Sequence, residues 1–324
     1  MIKLLVGVDV SKASLDFVYE KAGELRHHQV SNDRSGHEKL KSIVGLLTHV
    51  VMERSGPYYL PLAVYLKSQG IQVYVANSLY VKRFIQMKGE QNKSDKKDAY
   101  WIKRYGEEQP WQEWQVPDEL MTKSAQMYRL RGLYVKQLTM LYNQMDAIQS
   151  SHYQCKEVVK SLTKEIKRLK DSCEQLDKGL DKLIKEWEPE MYRNLQSIPG
   201  VGKQVAMALM IKTYGFSKVT NYRQLISMAG LSPKEYSSGS SVRAKVRISK
   251  RGGHELRKLL YLSSMSAIRH NPQCKALFER MKCRGKNGKV ALIAVSNKKL
   301  KQAFAIAKSG VPYHADYRSK LVVN

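Results

Sequence analysis

The spacing of apolar positions changes character twice along this chain. Up to about residue 106, short apolar runs alternate with stretches of helical period. Leu4–Val10 reads as a strand and Leu15–Tyr19 as a second, joined across Ser11–Ser14 as a hairpin, with a third at Leu25–Val30. A helix capped by Asn32 or Asp33 then runs to about Leu47. Val50–Glu53 is an apolar run ending in an acid, Tyr58–Ser68 has helical period, and Ile71–Val75 reads as a strand. Leu79–Met87 and Lys93–Gly106 follow as helices. Three strands, then alternating helices and strands, predict a mixed α/β sheet.

Residues 107–118 read as a connector, with two prolines and two tryptophans. From Glu119 to Trp187 there is no proline. Val159, Leu162, Ile166, Leu169, Cys173, Leu176, Leu180, Leu183 and Trp187 follow a 3,4 spacing throughout, which predicts a coiled-coil seam. Its partner is either the preceding helix, Leu120–Ile148, or another protomer. Beyond it, Leu195–Gly202 leads into a helix from Lys203 to about Tyr214, and Tyr222–Ala229 is a short helix. Leu231–Gly253 is a loop or ribbon. Helices follow at Glu255–His270, Cys274–Lys282 and Val290–Lys308. The pattern divides the chain into 1–106 (α/β), 107–190 (linker and coiled-coil segment) and 191–324 (mostly helical).

Charge adds a polyanion. The chain has 324 residues, 56 Lys plus Arg against 29 Asp plus Glu, and a net charge of +27. Residues 201–324 hold 25 of the basic side chains and only 4 of the acidic ones. One part is nearly balanced; the other is suited to nucleic acid. The longest apolar runs fall far short of the ~20 residues of a membrane span. The N-terminus has no signal-peptide layout. The four cysteines form no CxxC pair, so neither a disulfide scaffold nor a zinc ribbon is expected, and an intracellular location is.

Three groups of residues carry candidate chemistry. Asp9 and Glu53 end apolar strands, and Asp95 and Asp98 share one face of a helix. Strand ends and a following helix can bring four carboxylates together, a hard-oxygen set suited to Mg²⁺ or Mn²⁺. Taken singly, Asp9 could cap a turn and Asp95 a helix. The second group is Ser197-Ile-Pro-Gly-Val-Gly-Lys203 before an apolar helix. Gly200, Gly202 and Lys203 would present backbone N–H groups and a cation to a phosphate, as in helix-hairpin-helix modules. The third is the ribbon at 236–253. Arg243, Lys245 and Arg247 alternate with apolar residues, and Lys250 and Arg251 follow, giving one basic face. Its serines, Ser237, Ser238, Ser240 and Ser241, are indistinguishable by chemistry alone.

Together these segments resemble the insertion sequence 110 family of transposases, related to Piv-type DNA invertases. The resemblance rests on Gly7-Val8-Asp9-Val10-Ser11-Lys12, Glu53-Arg54-Ser55-Gly56-Pro57-Tyr58, Ser94-Asp95-Lys96-Lys97-Asp98-Ala99, Ile198-Pro199-Gly200-Val201-Gly202, Ala229-Gly230-Leu231-Ser232-Pro233 and Ser238-Gly239-Ser240-Ser241-Val242-Arg243, in that order. It implies a RuvC-like, RNase H-type N-terminal domain in which Asp9, Glu53, Asp95 and Asp98 hold Mg²⁺. It also implies a C-terminal transposase domain whose serine nucleophile maps to Ser238, attacking DNA through a phosphoserine intermediate and a Holliday junction. A guide (bridge) RNA, donor and target DNA, and a homo-oligomer with composite active sites are the implied partners, in the cytoplasm of a prokaryote at its nucleoid. Arg54 and Lys96-Lys97 depart from the pattern and add positive charge beside the acids. The alternatives are a metal-dependent junction endonuclease using water, and a nucleic-acid-binding protein without enzymatic activity.

Overall fold

The computed structural model describes residues 4–54, 56–90, 94–110, 112–217, 219–234, 237–238, 242–243, 247–250 and 252–315, with backbone only at 237, 238, 242 and 243. The chain forms two compact units, Met1–Pro117 and Asp118–Asn324.

The first unit runs β1 (Leu4–Val10), β2 (Ser14–Lys21), β3 (Glu24–Ser31), α1 (Arg34–Val44), β4 (Thr48–Glu53), α2 (Tyr59–Ser68), β5 (Gln72–Ala76), α3 (Ser78–Met87) and α4 (Asp95–Glu108). The sheet order is β3-β2-β1-β4-β5, with β1–β2 and β2–β3 antiparallel and β4 and β5 parallel to β1. This is the mixed α/β sheet that the apolar pattern predicts. Strand alternation assigns the two faces. Val6, Val8 and Val10 pack with Leu40 of α1 and Leu62 and Leu66 of α2. On the other face Val51 packs with Val81 and Phe84 of α3 and Ile102 and Tyr105 of α4. Both faces are covered, as a sheet with a parallel portion requires.

Asp33 is the cap of α1; its carboxylate accepts from the Gly36 N–H at 2.8 Å. That helix ends at Val44 rather than Leu47. Gly45 takes φ +77° and returns its N–H to the Lys41 carbonyl, so the apolar Leu46 and Leu47 are left exposed beyond the stop.

The second unit contains α5 (Glu119–Gln149), α6 (Lys156–Trp187), α7 (Pro189–Gln196), α8 (Lys203–Thr213), α9 (Tyr222–Met228), four two-residue strands, β6 (Pro233–Lys234), β7 (Ser237–Ser238), β8 (Val242–Arg243) and β9 (Arg247–Ile248), then α10 (His254–His270), α11 (Pro272–Cys283) and α12 (Gly288–Ser309). α5 and α6 fold back on each other, so the 3,4 seam of α6 finds its partner within the chain. Ile166, Leu169, Cys173 and Leu180 are buried in it, and Arg131 of α5 grips both carboxylate oxygens of Asp177. At its last turn the seam passes to Ile184 instead of Leu183. A helix of 3.6 residues per turn drifts relative to a strict 3.5 repeat, and Ile184 instead meets the core formed by α7 and α8. α7, which the apolar pattern did not indicate, starts on Pro189, where a missing N–H costs nothing. α8 is apolar on all sides and is the buried centre of this unit, with Val205 through Ile211 all in the core.

Candidate metal centre and nucleic-acid interface

The acidic group is built by one close approach. A Cβ on Gly7 would lie 2.3 Å from the Ala99 carbonyl oxygen and 2.4 Å from the Lys103 nitrogen. Only glycine lets α4 lie this near β1. Near the far end of the helix, a Cβ on Gly106 would lie 2.5 Å from a methyl of Val51 on β4. α4 is therefore seated directly on the central strand β1 and on its neighbour β4. Gly7 and Asp9 share a face of β1, so the first turn of α4 comes down beside Asp9.

Ser94 caps that turn, accepting from the Lys97 N–H, and places Asp95 and Asp98 within it. Carboxylates suit this end of a helix, where N–H groups carry partial positive charge. One carboxylate oxygen from each of Asp9, Asp95 and Asp98 lies within 4.8 Å of the other two. Asp9 and Asp98 are half-buried, while Asp95 is exposed. Glu53 ends β4, in a register that pairs Val8 with Met52 and so brings Glu53 alongside Asp9. It stands outside the tight trio, though its charge reaches Asp9.

The trio is electrostatically uncomfortable. Burial, followed by the charges of Asp98, Asp95 and Glu53, pushes the Asp9 carboxyl from 3.8 up to about 6, against the pull of a hydrogen bond from the Val10 backbone. Hard oxygen donors that repel one another at a partly buried strand end fit a divalent cation.

Two further features could not be read from spacing. Asp16 lies directly opposite Asp9 on β2 and is buried, held by His27 Nε2 at 2.9 Å and Gln29 Nε2 at 3.0 Å. Its signal was an acid inside an apolar strand, but its partners come from β3 and emerge only with the sheet register. Lys97, one of the two lysines between the aspartates, pairs with Glu90 at 3.3 Å.

In the second unit, the turn before α8 separates its two glycines by role. Gly200 takes φ +91°, and a Cβ there would lie 2.6 Å from Cβ of Ala267 on α10. Gly202 is the N-cap of α8, at φ −82°, with open space where a Cβ would go. Lys203 opens the helix with an exposed side chain, its Nζ 3.8 Å from Asp181. This turn and α10 line a groove of about 520 Å³.

The ribbon consists of two nested antiparallel pairs. Pro233–Lys234 pairs with Arg247–Ile248, and Ser237–Ser238 pairs with Val242–Arg243, Ser238 opposite Val242. Arg247 and Lys250 are exposed. Ser238 and Arg243 are described in backbone only; Lys245 and Arg251 lie outside the described residues.

Comparison with known proteins covers most of the chain. Residues 6–153 match a family model described as a transposase, and residues 192–279 match the model for the transposase IS116/IS110/IS902 family. The pilin gene-inverting protein of Moraxella lacunata is 28% identical over 97% of this chain and 98% of its own length, and that of Moraxella bovis is 27% identical over the same shares. The transposase for insertion sequence element IS1111A of Coxiella burnetii is 35% identical over 33% of this chain and 30% of its own. Among solved structures, T. thermophilus RuvC in complex with a Holliday junction substrate aligns with a TM-score of 0.27 at 13% identity, covering 34% of this chain and 99% of that one.

Proposed function

Because the chain belongs to the IS116/IS110/IS902 family of transposases, we propose that it is the recombinase of an insertion element. In this reading it cuts and rejoins DNA with a serine nucleophile and a metal held by the first unit. The carrying observation is the trio of Asp9, Asp95 and Asp98, whose oxygens meet within 4.8 Å beside Glu53. These four residues would hold Mg²⁺, with Mn²⁺ as a substitute. When bound, the ion supplies positive charge to a phosphate oxygen and makes that phosphorus more open to attack. The sheet order β3-β2-β1-β4-β5, with β2 antiparallel to β1, supports an RNase H-type domain for this part.

The chain's own residues do the rest. Gly7 and the Ser94 cap fix the spacing of the acids. Asp16, opposite Asp9 on β2, is held in place by hydrogen bonds with His27 and Gln29. Ser238 gives up its hydroxyl proton and attacks a DNA phosphate; the P–O bond to one sugar oxygen breaks and that oxygen leaves as a strand hydroxyl, and a strand hydroxyl later attacks the phosphoserine and releases Ser238. The ribbon cations Arg243, Lys245, Arg247, Lys250 and Arg251 hold backbone phosphates, as do Gly200, Gly202 and Lys203. A guide RNA pairing with donor and target would deliver sequence choice, leaving the chain's cations to hold backbone phosphates. The working enzyme is a homo-oligomer that pairs the acids of one copy with the serine of another.

The test is strand exchange between donor and target DNA, with Mg²⁺ and RNA transcribed from the flanks of the element. Asp9→Ala and Asp98→Ala should each lower exchange on the order of a hundredfold or more while DNA binding persists. Ser238→Ala should abolish the protein–DNA adduct seen on denaturing gels. Normal exchange in Asp9→Ala and Ser238→Ala together would overturn the mechanism. Cleavage that persists in Ser238→Ala without an adduct would mean water is the nucleophile.

A further inference from the structure

A lysine is buried in the second unit with no acid to pair it. Lys299 on α12 is fully excluded from solvent. Its Nζ donates to the Leu260 carbonyl at 2.9 Å and to the Ser263 hydroxyl, both on α10. Among the described residues no carboxylate pairs with it, and burial pushes its ammonium down to about 7. An uncompensated buried cation is costly, and one of its two hydrogen-bond partners, Ser263, lines the groove beside the Gly200–Lys203 turn.

The Leu260 carbonyl is overcommitted. Lys299, Ser264 at 2.7 Å, Ser263 at 3.2 Å and Ser296 at 3.3 Å all aim side-chain donors at it. A carbonyl oxygen has two lone pairs. Ser296 has a second acceptor in the Leu292 carbonyl at 3.0 Å. Lys299 and Ser264 make the two shorter bonds. The Ser263 hydrogen is the one left over, and Ser263 is the half-exposed member of the set, on the groove wall.

We propose that this groove is a phosphodiester subsite. Ser263 donates to one phosphate oxygen, Lys299 stands behind Ser263 as a buried amine that the phosphate charge would hold protonated, and the Gly202–Lys203 end of α8 lines the same groove. The donor chain runs Lys299 Nζ–H to Ser263 Oγ, then Ser263 Oγ–H to phosphate. Leu262 forms an apolar shoulder of the groove, and Ser266 offers a second hydroxyl. The charge is hidden from solvent and competing salt, so it reaches only an anion that enters the groove. This rests on the reading of the chain as a nucleic-acid enzyme, and it adds to the turn two residues, Ser263 and Lys299, that neither spacing nor charge singled out.

The test uses the full chain and fluorescein-labelled ligands, a short DNA duplex in one arm and an RNA hairpin in the other, titrated by anisotropy across a salt series. Ser263→Ala should weaken binding about three- to tenfold in at least one arm. Lys299→Met should weaken it by at least as much and lower the slope of log affinity against log salt by about one, which a purely structural role would not do. The arm that loses more identifies which backbone occupies the groove. Circular dichroism and thermal melting check the fold; if Lys299→Met does not fold, Ser263→Ala decides alone. Wild-type affinity and slope in the folded variants in both arms would overturn this inference and leave the recombinase reading intact. Failure of the wild-type chain to bind either ligand would overturn both.

Discussion

At the scale of single residues, two ionisable groups are held away from their ordinary protonation, with opposite consequences. The Asp9 carboxyl is raised to about 6, so the folded metal-free chain keeps a proton that the unfolded chain gives up near 3.8. Stability from this group is present below that lower value and is lost as pH rises through about 6. Melting of the metal-free chain should show this loss, and Asp98→Asn, by removing a repelling charge, should reduce it. Mg²⁺ should raise the melting temperature more at about pH 7.5 than at about pH 5, because protons compete for the same oxygens. Lys299 behaves in the reverse sense. Its ammonium is lowered to about 7, so the unfolded chain binds the extra proton, and stability should climb between about pH 7 and 9. Lys299→Met should flatten that climb in the same melts. Neither shift was legible in the sequence. Asp9 stood out there as an acid ending an apolar strand, but the neighbours that raise it come from β4 and α4, more than forty residues away in the chain. Lys299 looked like one of many lysines in a basic helix, because burial is a property of packing between α10 and α12.

At the scale of elements, the apolar pattern gave the order of strands and helices in the first unit, and failed where a backbone stop overrode it. α1 stops before Gly45 in spite of two following leucines, and α7, unmarked by the apolar pattern, begins at Pro189. Local caps and positive-φ glycines decide element ends, and their effect depends on a few hydrogen bonds that periodicity ignores. The two glycines before α8 were indistinguishable in the sequence, and the structure separates them. Gly200→Ala should destabilise the chain by about 2–4 kcal/mol, since it sets a side chain at a positive φ against Ala267. Gly202→Ala should cost less than about 1 kcal/mol, as the space is open and only cap preference is lost. Urea melts of the two variants check this; equal losses would refute the division of roles.

At the scale of the whole molecule, the excess charge of residues 201–324 predicts strongly salt-dependent affinity for nucleic acid. Arg247→Ala and Lys250→Ala, both exposed, should each reduce the salt slope by about one and weaken all sequences alike, measured on unrelated duplexes. A loss confined to one sequence would mean that these side chains read bases. Net charge was legible from the start, and so was its concentration in the C-terminal part. What composition could not convey is that the candidate acids fall in one compact unit, Met1–Pro117, and the proposed serine ribbon in the other, Asp118–Asn324. That division came from the order of motifs.

The fit of α4 against Gly7 would make the bare strand a gauge for the size of an ion held by the trio. A methyl group at that position would raise the helix by about an ångström, judged from an approach of 2.3 Å where an ordinary contact needs over 3. The oxygens of Asp95 and Asp98 would travel with it, away from Asp9. That shift exceeds the difference between the bonds Mg²⁺ makes, about 2.1 Å, and those of Ca²⁺, about 2.3–2.6 Å. Gly7→Ala, where it still folds, should therefore move preference toward the larger ion, read as the ratio of Ca²⁺ to Mg²⁺ thermal shifts. The missing carbon would then work as a caliper, selecting the metal by radius without touching it.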